Sequence, residues 1–304
     1  MVTLKGFRAA PPEVKAKQPR FSALRPTLKE WFSGGASDLR GFSPERHDQL
    51  HSGSCVAQSV VRAMEVNRIQ KLFYEAISRG VSEGQAVTEA KAGHVALSRL
   101  ALYFHARELM DPQETGSDEG TYVGVAAEAL KTIGVCREKK DPGNPSDRSF
   151  WPFELGVNPA SGRPRLFEAP SWMAMREAYL HKISAWYRVD TDGEERVKDV
   201  ILALSAGHPV VYGAKADSQW MSYDGSEPIG LVQGDVIGGH ATVLEGWDPS
   251  RQVFLGENSW GDRWGVRGPD GTGGFYEVTA EKIASDECDD FVVIEGGWEP
   301  WRKK

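Results

Sequence analysis

The stretch that decides the fold is Asp48-Gln49-Leu50-His51-Ser52-Gly53-Ser54-Cys55-Val56-Ala57-Gln58-Ser59-Val60-Val61-Arg62. A Gly-Ser pair leads into Cys55, and apolar residues then recur at three- and four-residue spacing, which predicts a tight loop that feeds a helix. The positive end of the helix macrodipole favours the thiolate form of a cysteine at the first helical position. The stretch therefore predicts a nucleophilic Cys55, provided that the rest of the chain supplies a base.

The bulk composition excludes several classes of protein. The 304 residues suffice for one large domain or two smaller ones, with 40% hydrophobic and 26% charged residues. A net charge of -7 gives no electrostatic reason to expect a nucleic-acid partner. The sequence has neither a run of about 18 apolar residues nor the apolar core of a signal peptide, so we expect no membrane partner and a cytoplasmic location. Three cysteines cannot all pair, and no disulfide framework is expected.

Residues 1–37 differ in composition from the rest of the chain. They contain seven Lys or Arg residues, two Glu residues and four prolines, which predicts an extended, partly ordered arm. The simplest interpretation is a solvated tail that lies over the body of the protein. Docking to a larger assembly is the alternative. The arm is too short and too rich in proline to match a helical inhibitory prosegment.

The remaining chain is rich in helices at the front and in strands at the back. Apolar periodicity predicts helices over 56–78, 82–109, 125–133, 173–179 and 194–205. Short β-rich runs predict strands at 183–189, 209–212, 241–244, 252–255, 274–278 and 291–294. Residues 141–170 contain six prolines, which predicts a long surface connection. This segregation indicates an α+β protein of two lobes.

Two residues could complete a site around the thiol. His240 follows Gly238-Gly239 at the start of a predicted strand, and Asn258 lies just after the next strand. An antiparallel pair of these strands would put His240 beside Asn258. A nucleophilic thiol needs a base, a group that orients the base, and donors for the oxyanion. His240 and Asn258 have the side chains for the first two tasks.

These motifs together resemble the papain family of cysteine peptidases. The matching pieces, in the family's order, are Gln49…Gly53-Ser54-Cys55, Gly239-His240-Ala241 and Asn258-Ser259-Trp260-Gly261 followed by Trp264-Gly265. Asp38-Leu39-Arg40 is similar to the family's Asp-Trp-Arg segment, and 97–108 and 120–138 resemble its prokaryotic and phage branch. The likeness covers residues 38–295, and three motifs in order are more specific than any one of them.

The resemblance implies a role for each matched residue. Cys55 would be the nucleophile, His240 the base that takes its proton, and Asn258 the group that orients the imidazole. The Gln49 amide and the Cys55 backbone N–H would form the oxyanion hole. Trp260 would shield the bond between His240 and Asn258 from water.

The same resemblance implies where a substrate peptide would bind. Gly120 and Thr121 would offer their backbone to the peptide. Gly239 and Ala241, with the residues around Tyr212-Gly213, would shape the pocket for the side chain before the scissile residue. The expected partner is a peptide or protein substrate, and neither a metal nor an organic cofactor is implied.

The implied architecture is the papain-like two-lobe fold with the active-site cleft between the lobes. A helical lobe, 38–188, would hold the nucleophile helix and the Pro-rich insertion 141–170, and a β-rich lobe, 189–304, would hold the histidine and the asparagine. Cys55 and His240 are 185 residues apart, against about 130–150 for the family, and the insertion accounts for the surplus. Val56 replaces the family's Trp, and Ser52 replaces a half-cystine.

Other readings of the same residues give different functions. His47, His51 and Cys55 are spaced by four, so on one helix they would align as zinc ligands, but Ser52-Gly53 interrupts such a helix and zinc is not expected. Cys136 and Cys288 are interpreted as buried small hydrophobes. The alternatives to a peptidase are a structural or binding subunit of a larger assembly, such as a virion-associated component of a phage particle, and a cell-wall peptide amidase.

Overall fold

The protein is described here from a computed structural model, which covers residues 4–31 and 34–296. Within these ranges the α-helices are α1 (Pro12–Lys15), α2 (Arg25–Trp31), α3 (Cys55–Ser78), α4 (Glu83–Ala92), α5 (Arg99–Met110), α6 (Val123–Thr132), α7 (Trp172–Ala178), α8 (Gly193–Ser205), α9 (Ser218–Met221) and α10 (Ala280–Ala284). The strands are β1 (Gly6–Phe7), β2 (Ser37–Asp38), β3 (Gly120–Thr121), β4 (Val157–Asn158), β5 (Arg163–Pro164), β6 (Ala185–Arg188), β7 (Val210–Ala216), β8 (Gly238–Asp248), β9 (Val253–Glu257), β10 (Phe275–Thr279) and β11 (Cys288–Glu295).

Helix α3 is the central element of the helical half. Every residue from Cys55 to Asn67 is buried, and the helix packs against α4, α5 and β8. Its buried charges are paired: Arg62 contacts Glu65 at 3.1 Å and Glu257 at 2.8 Å. Such pairing is the usual condition for burying a charge. Val56, at the position of the family's Trp, is fully buried in this core.

The expectation of one helical region over 82–109 is wrong in one respect, because two helices occupy it. Helix α4 ends at Ala92 with Gly93 as its cap, and Leu97 then forms an extended bridge with Arg137. Helix α5 starts after Ser98, whose hydroxyl accepts a hydrogen bond from the Ala101 N–H. Such a serine satisfies a backbone donor that the first helical turn leaves free, so the sequence does contain a start signal there.

A seven-stranded sheet forms the second half, in the order β10-β9-β8-β7-β11-β6, with β2 added on β8. Side chains alternate between its faces. Val211, Ala241 and Val243 join the apolar cluster around α3, α5 and α6. Tyr212 and Leu244, on the other face, join a second cluster with α8. The predicted strands are thus all present, and the mixed helix and sheet architecture is confirmed.

The Pro-rich insertion follows the surface with little regular structure. It contains the β4–β5 hairpin and a 3-10 turn at Arg165–Phe167. Trp151 is its buried anchor, and the Trp151 N–H donates to the Arg137 carbonyl at 2.9 Å. This agrees with the predicted surface connection.

The N-terminal arm lies over the body, as expected, but the expectation that it is solvated is wrong for its apolar residues. Phe21 and Leu28 are fully buried in the second cluster. Lys15 forms an ion pair with Asp289, and Arg25 Nε donates to Asp199 at 2.7 Å. The arm therefore packs against the body through both apolar and charged contacts.

Two further findings concern the cysteines and the helices. Cys55, Cys136 and Cys288 are all free and buried, so the chain has no disulfide. None of the helices in the described ranges has the length and apolar character needed to cross a bilayer.

Candidate active site

Cys55 is the first residue of α3 and is fully buried. Its Sγ accepts a hydrogen bond of 3.4 Å from the N–H of Ala241, so the nucleophile helix and strand β8 meet at the thiol. Burial raises the pKa of the Cys55 thiol to about 12, and the nearby backbone N–H groups oppose this only in part. In this conformation the sulfur is therefore a neutral thiol.

His240 and Asn258 are brought together by the pairing of β8 with β9. His240 Nε2 lies 2.7 Å from Asn258 Oδ1, which also accepts the Ser259 N–H at 2.8 Å. Since that oxygen is an acceptor, the proton of a neutral imidazole resides on Nε2. The other ring nitrogen, Nδ1, is buried without a hydrogen-bond partner among the described residues, so it is available as a base.

Aromatic rings enclose the imidazole. The Trp260 ring centroid lies 4.8 Å from that of His240, and Trp220 approaches edge-on at 5.6 Å. Burial lowers the pKa of His240 to about 4, although the bond to Asn258 acts in the opposite direction. Trp260 thus contacts the imidazole, and its role as a shield for the bond to Asn258 stays a prediction. Trp220 was not singled out because it lies in no motif.

Gln49 is held beside the nucleophile loop by its own amide. Gln49 Nε2 donates to the Ser52 carbonyl at 2.9 Å, and Oε1 accepts from the Ser259 hydroxyl at 2.6 Å. The amide group carries a second N–H, which these two bonds do not use. Ser259, which follows Asn258 directly, therefore fixes both the His240 side and the Gln49 side of the site.

Asp118 is a site residue that the sequence analysis missed. Its carboxylate accepts the Gly53 N–H at 2.9 and 3.0 Å and the Tyr103 hydroxyl at 2.8 Å. The same hydroxyl accepts the Gly120 N–H at 3.1 Å. Asp118 thus joins the loop before Cys55 to strand β3. No local pattern in the sequence identifies it, since its partners Gly53 and Tyr103 come from two separate segments.

The cleft beside Cys55 is filled by the arm. Gly6 and Phe7 pair in parallel with Gly120 and Thr121. On the other side, the Leu4 N–H donates to the Ile237 carbonyl at 2.9 Å. The arm therefore binds β3 and the segment before β8 at once, and it covers the thiol.

The fit around the arm depends on glycines. Gly6 has φ of +134°, and a β-carbon there would lie 2.6 Å from Cys55 Sγ. A β-carbon on Gly213 would lie 2.1 Å from the Phe7 ring, and one on Gly239 would lie 2.7 Å from the Phe7 carbonyl oxygen. The Phe7 ring thus occupies a pocket that exists because Gly213 has no side chain.

The predicted substrate-binding residues lie in three places in the structure. Gly120, Thr121 and Gly239 lie under the arm. Ala241 pairs with Gly213 in the β7–β8 ladder and lies against Cys55. Trp260, in contrast, stacks on His240.

The three residues considered as zinc ligands do not share a helix. Cys55 begins α3, whereas His47 lies in the preceding loop and its Nε2 contacts Glu65 at 3.1 Å. Cys136 and Cys288 are buried in the two apolar clusters, and burial raises the pKa of each thiol to about 12. Both fit the interpretation as small hydrophobes.

Comparison with known proteins finds a peptidase-like relative in sequence and cysteine proteases in fold. No family model matches the chain. Over 213 residues it is 28% identical to an uncharacterized peptidase C1-like protein of Acanthamoeba polyphaga mimivirus, a match that covers 67% of this chain. The chain spans 60% of that relative's length.

Similar solved structures include cysteine proteases and their proforms. Xylellain, a cysteine protease from Xylella fastidiosa, aligns with a TM-score of 0.67 at 21% identity, over 97% of this chain and 98% of its own. Procathepsin B of Trypanosoma congolense (16% identity, 96% and 86% coverage) and procathepsin L2 of Tenebrio molitor (16%, 97% and 78%) each align with a TM-score of 0.60. The resemblance inferred from the motifs is thereby confirmed, and the chain has the papain-like fold of these cysteine proteases.

Proposed function

We propose that the protein is a papain-like cysteine peptidase in which Cys55 attacks peptide bonds and the N-terminal arm controls access to it. The observation that supports this most directly is the hydrogen bond between His240 Nε2 and Asn258 Oδ1, which leaves Nδ1 free. His240 directly precedes Ala241, whose N–H donates to the Cys55 Sγ. An asparagine that fixes the tautomer of a histidine is the arrangement that nucleophilic thiol catalysis needs.

The chemical steps follow from these positions. His240 Nδ1 takes the proton of Cys55, and the thiolate attacks the carbonyl carbon of the scissile peptide bond. The oxygen of the resulting tetrahedral intermediate accepts hydrogen bonds from the Cys55 N–H and the Gln49 amide. The C–N bond then breaks as His240 returns its proton to the leaving amine, and water hydrolyses the thioester in a second round of the same proton transfers.

The covered conformation is a resting state in this scheme. With Gly6 on the thiol, burial raises the pKa of Cys55 and lowers that of His240, so both groups are neutral. Displacement of the arm would admit water and remove part of this desolvation, which favours the thiolate–imidazolium pair. The arm would thus control both the access of substrate to Cys55 and the ionisation of Cys55 and His240.

The same proposal includes a division between the two lobes at 188/189. It also assigns substrate binding to Gly120, Thr121, Gly239 and Ala241. The peptide would replace the arm on β3. The Phe7 ring fills the pocket at Gly213. The preferred substrate would therefore be a peptide with a large apolar side chain at the corresponding position.

A truncated chain that lacks residues 1–10 tests the proposal. We expect it to hydrolyse a mixed peptide library and to be labelled at Cys55 by an epoxide inhibitor such as E-64, which is bound in the solved Carica candamarcensis protease. The Cys55→Ala variant of the same truncated chain should do neither. Hydrolysis that persists in Cys55→Ala, or a folded truncated chain without hydrolysis or labelling, would contradict the proposal.

A further inference from the structure

Helix α7 and the turn that follows it present large apolar side chains to solvent. Trp172, Met173, Met175, Tyr179 and Leu180 are 67%, 42%, 44%, 72% and 76% exposed. The inward positions of the same helix are the small residues Ala174 and Ala178, which are buried. We name these five exposed side chains the 172–180 patch. Large apolar residues concentrated on an outer face usually indicate an interaction surface.

The exposed charges of this segment are positive. The Arg176 guanidinium lies over the Trp172 ring at 5.0 Å, and Lys182 Nζ lies 3.7 Å from the Tyr179 ring centroid. Glu177, the one carboxylate between Ser171 and Lys182, is turned inward: it contacts Arg137 at 3.0 Å and His181 at 2.8 Å. The patch therefore combines exposed aromatic rings with cations, on a chain whose net charge is -7.

More cations border the patch where it meets α3. Leu180 and Lys182 line a groove with Arg68 and Lys71, and Glu75 is the single acidic residue in that lining. Arg68 lies 3.0 Å from the His181 ring nitrogen. The local excess of positive charge thus extends beyond α7 itself.

We propose that the 172–180 patch attaches the protein to an anionic lipid surface. Trp and Tyr favour the headgroup region of a bilayer, and apolar side chains such as Leu and Met enter the acyl boundary. Lys and Arg residues are attracted to anionic lipids. Side chains exposed by two thirds or more stand out from the surface, which suits a deformable partner. A symmetric contact with a second copy would instead bring two patches of the same positive charge together.

The attachment needs no membrane span. The expectation of no membrane partner came from the absence of a long apolar run, which excludes a span but not a surface contact. The patch is also remote from the thiol, because Arg68 is 13 residues along α3 from Cys55, about 20 Å at 1.5 Å per residue. Lipid binding and peptide hydrolysis can therefore be measured separately.

Vesicle flotation of the full-length protein tests the proposal. We expect it to float with vesicles of phosphatidylcholine that contain about one third phosphatidylglycerol, to bind pure phosphatidylcholine weakly, and to dissociate at high salt. The triple variant Trp172→Ser/Tyr179→Ser/Leu180→Ser should reduce the bound fraction at least ~10-fold. Arg176→Gln/Lys182→Gln should reduce it several-fold and weaken its dependence on salt. Leu109→Ser/Met221→Ser, a control at positions 48% and 46% exposed elsewhere, should bind like the native chain.

Two outcomes would overturn the proposal. One is a native protein that stays unbound with anionic vesicles, and the other is a triple variant that floats as well as the native chain. If sedimentation shows a dimer that the triple variant abolishes while flotation fails, the occupant is a second copy and the proposal is wrong. Circular dichroism checks the fold of each variant, and the charge pair gives an independent reading if the triple variant does not fold.

Discussion

Gly6 of the N-terminal arm lies directly on the thiol of Cys55. A β-carbon built at Gly6 would be 2.6 Å from Cys55 Sγ and 2.7 Å from the Gly53 carbonyl oxygen, both closer than real β-carbons approach other atoms. The arm can therefore take this course only with glycine at that point. The pairing also explains why Cys55 is fully buried.

Replacing Gly6 by alanine should release the arm. The added carbon clashes with Cys55, and φ of +134° is unfavourable for alanine. We expect full-length Gly6→Ala to hydrolyse peptides about tenfold faster than the native chain, a gain equivalent to ~1.4 kcal/mol against docking. Gly35→Ala is the control, since a β-carbon at Gly35 meets nothing within 4 Å. Equal rates for both variants would contradict control by the arm.

Filling the pocket at Gly213 should change substrate preference. In the chain truncated before residue 11, Gly213→Ala places a carbon where the Phe7 ring lies in the native structure. Two peptides are compared, one with Phe and one with Ala at the residue that enters this pocket. We expect the substitution to lower kcat/KM for the Phe peptide about 10- to 200-fold relative to the Ala peptide, the usual range for steric discrimination in an apolar pocket. An unchanged ratio between the two peptides would show that Phe7 does not mark the substrate pocket.

Asn258→Ala should slow the chemical step. Without the Asn258 oxygen, His240 loses the bond that fixes its tautomer and ring orientation. We expect kcat to fall by about one to two orders of magnitude with KM little changed, because the peptide binds elsewhere in the cleft. Steady-state kinetics of the truncated chain measure both quantities. A rise in KM at constant kcat would assign Asn258 to substrate binding instead.

Asp118→Asn should change both the geometry and the ionisation of the nucleophile. The carboxylate holds the Gly53 N–H with both oxygens, and its negative charge contributes to the raised pKa of Cys55. We expect the pH dependence of thiol alkylation in the truncated chain to shift to lower pH, while kcat falls. A fall in kcat with an unmoved alkylation profile would limit Asp118 to a structural role.

Acid should destabilise the fold through its buried histidines. Burial lowers the pKa of His208 to about 4, below the 6.5 of the unfolded chain, so between these values the unfolded state binds more protons. Stability contributed by this residue is therefore lost as pH falls through 6.5 toward 4, by about 2 kcal/mol between pH 7 and 5. Denaturant titrations of the native chain and His208→Gln check this. If the two chains lose equal stability between these pH values, His208 does not contribute.

Much of the fold could be predicted from the sequence, because its signals are local. The apolar periodicity of α3 and α8 and the β-rich runs of the sheet are visible within single segments. The break between α4 and α5 was missed, although Gly93 and Ser98 supply a stop and a start, because apolar residues continue on both sides. The course of the arm could not be predicted, since it depends on spaces created by Gly120, Gly213 and Gly239, far away in the chain.

Some residues of the candidate site could likewise be predicted from local motifs, and others could not. Cys55, His240 and Asn258 stand in motifs whose order can be recognised. Asp118 and Trp220 act through contacts between distant segments, and no spacing in the sequence identifies them. The raised pKa of Cys55 was also unexpected, since a helix start favours the thiolate, whereas complete burial opposes it.

The anchoring of the arm makes its binding in the cleft independent of the protein concentration. The Ala10 N–H donates to Asp290 at 2.7 Å, so only a few residues separate this anchor from Phe7 in the cleft. A segment on so short a tether has an effective concentration of roughly millimolar or more, whatever the concentration of the protein. The arm thus competes with substrate within each molecule. Neither dilution nor a moderate concentration of peptide would displace the arm from the cleft. A free peptide with the sequence of residues 4–10 would lack this advantage and would inhibit the truncated chain only weakly.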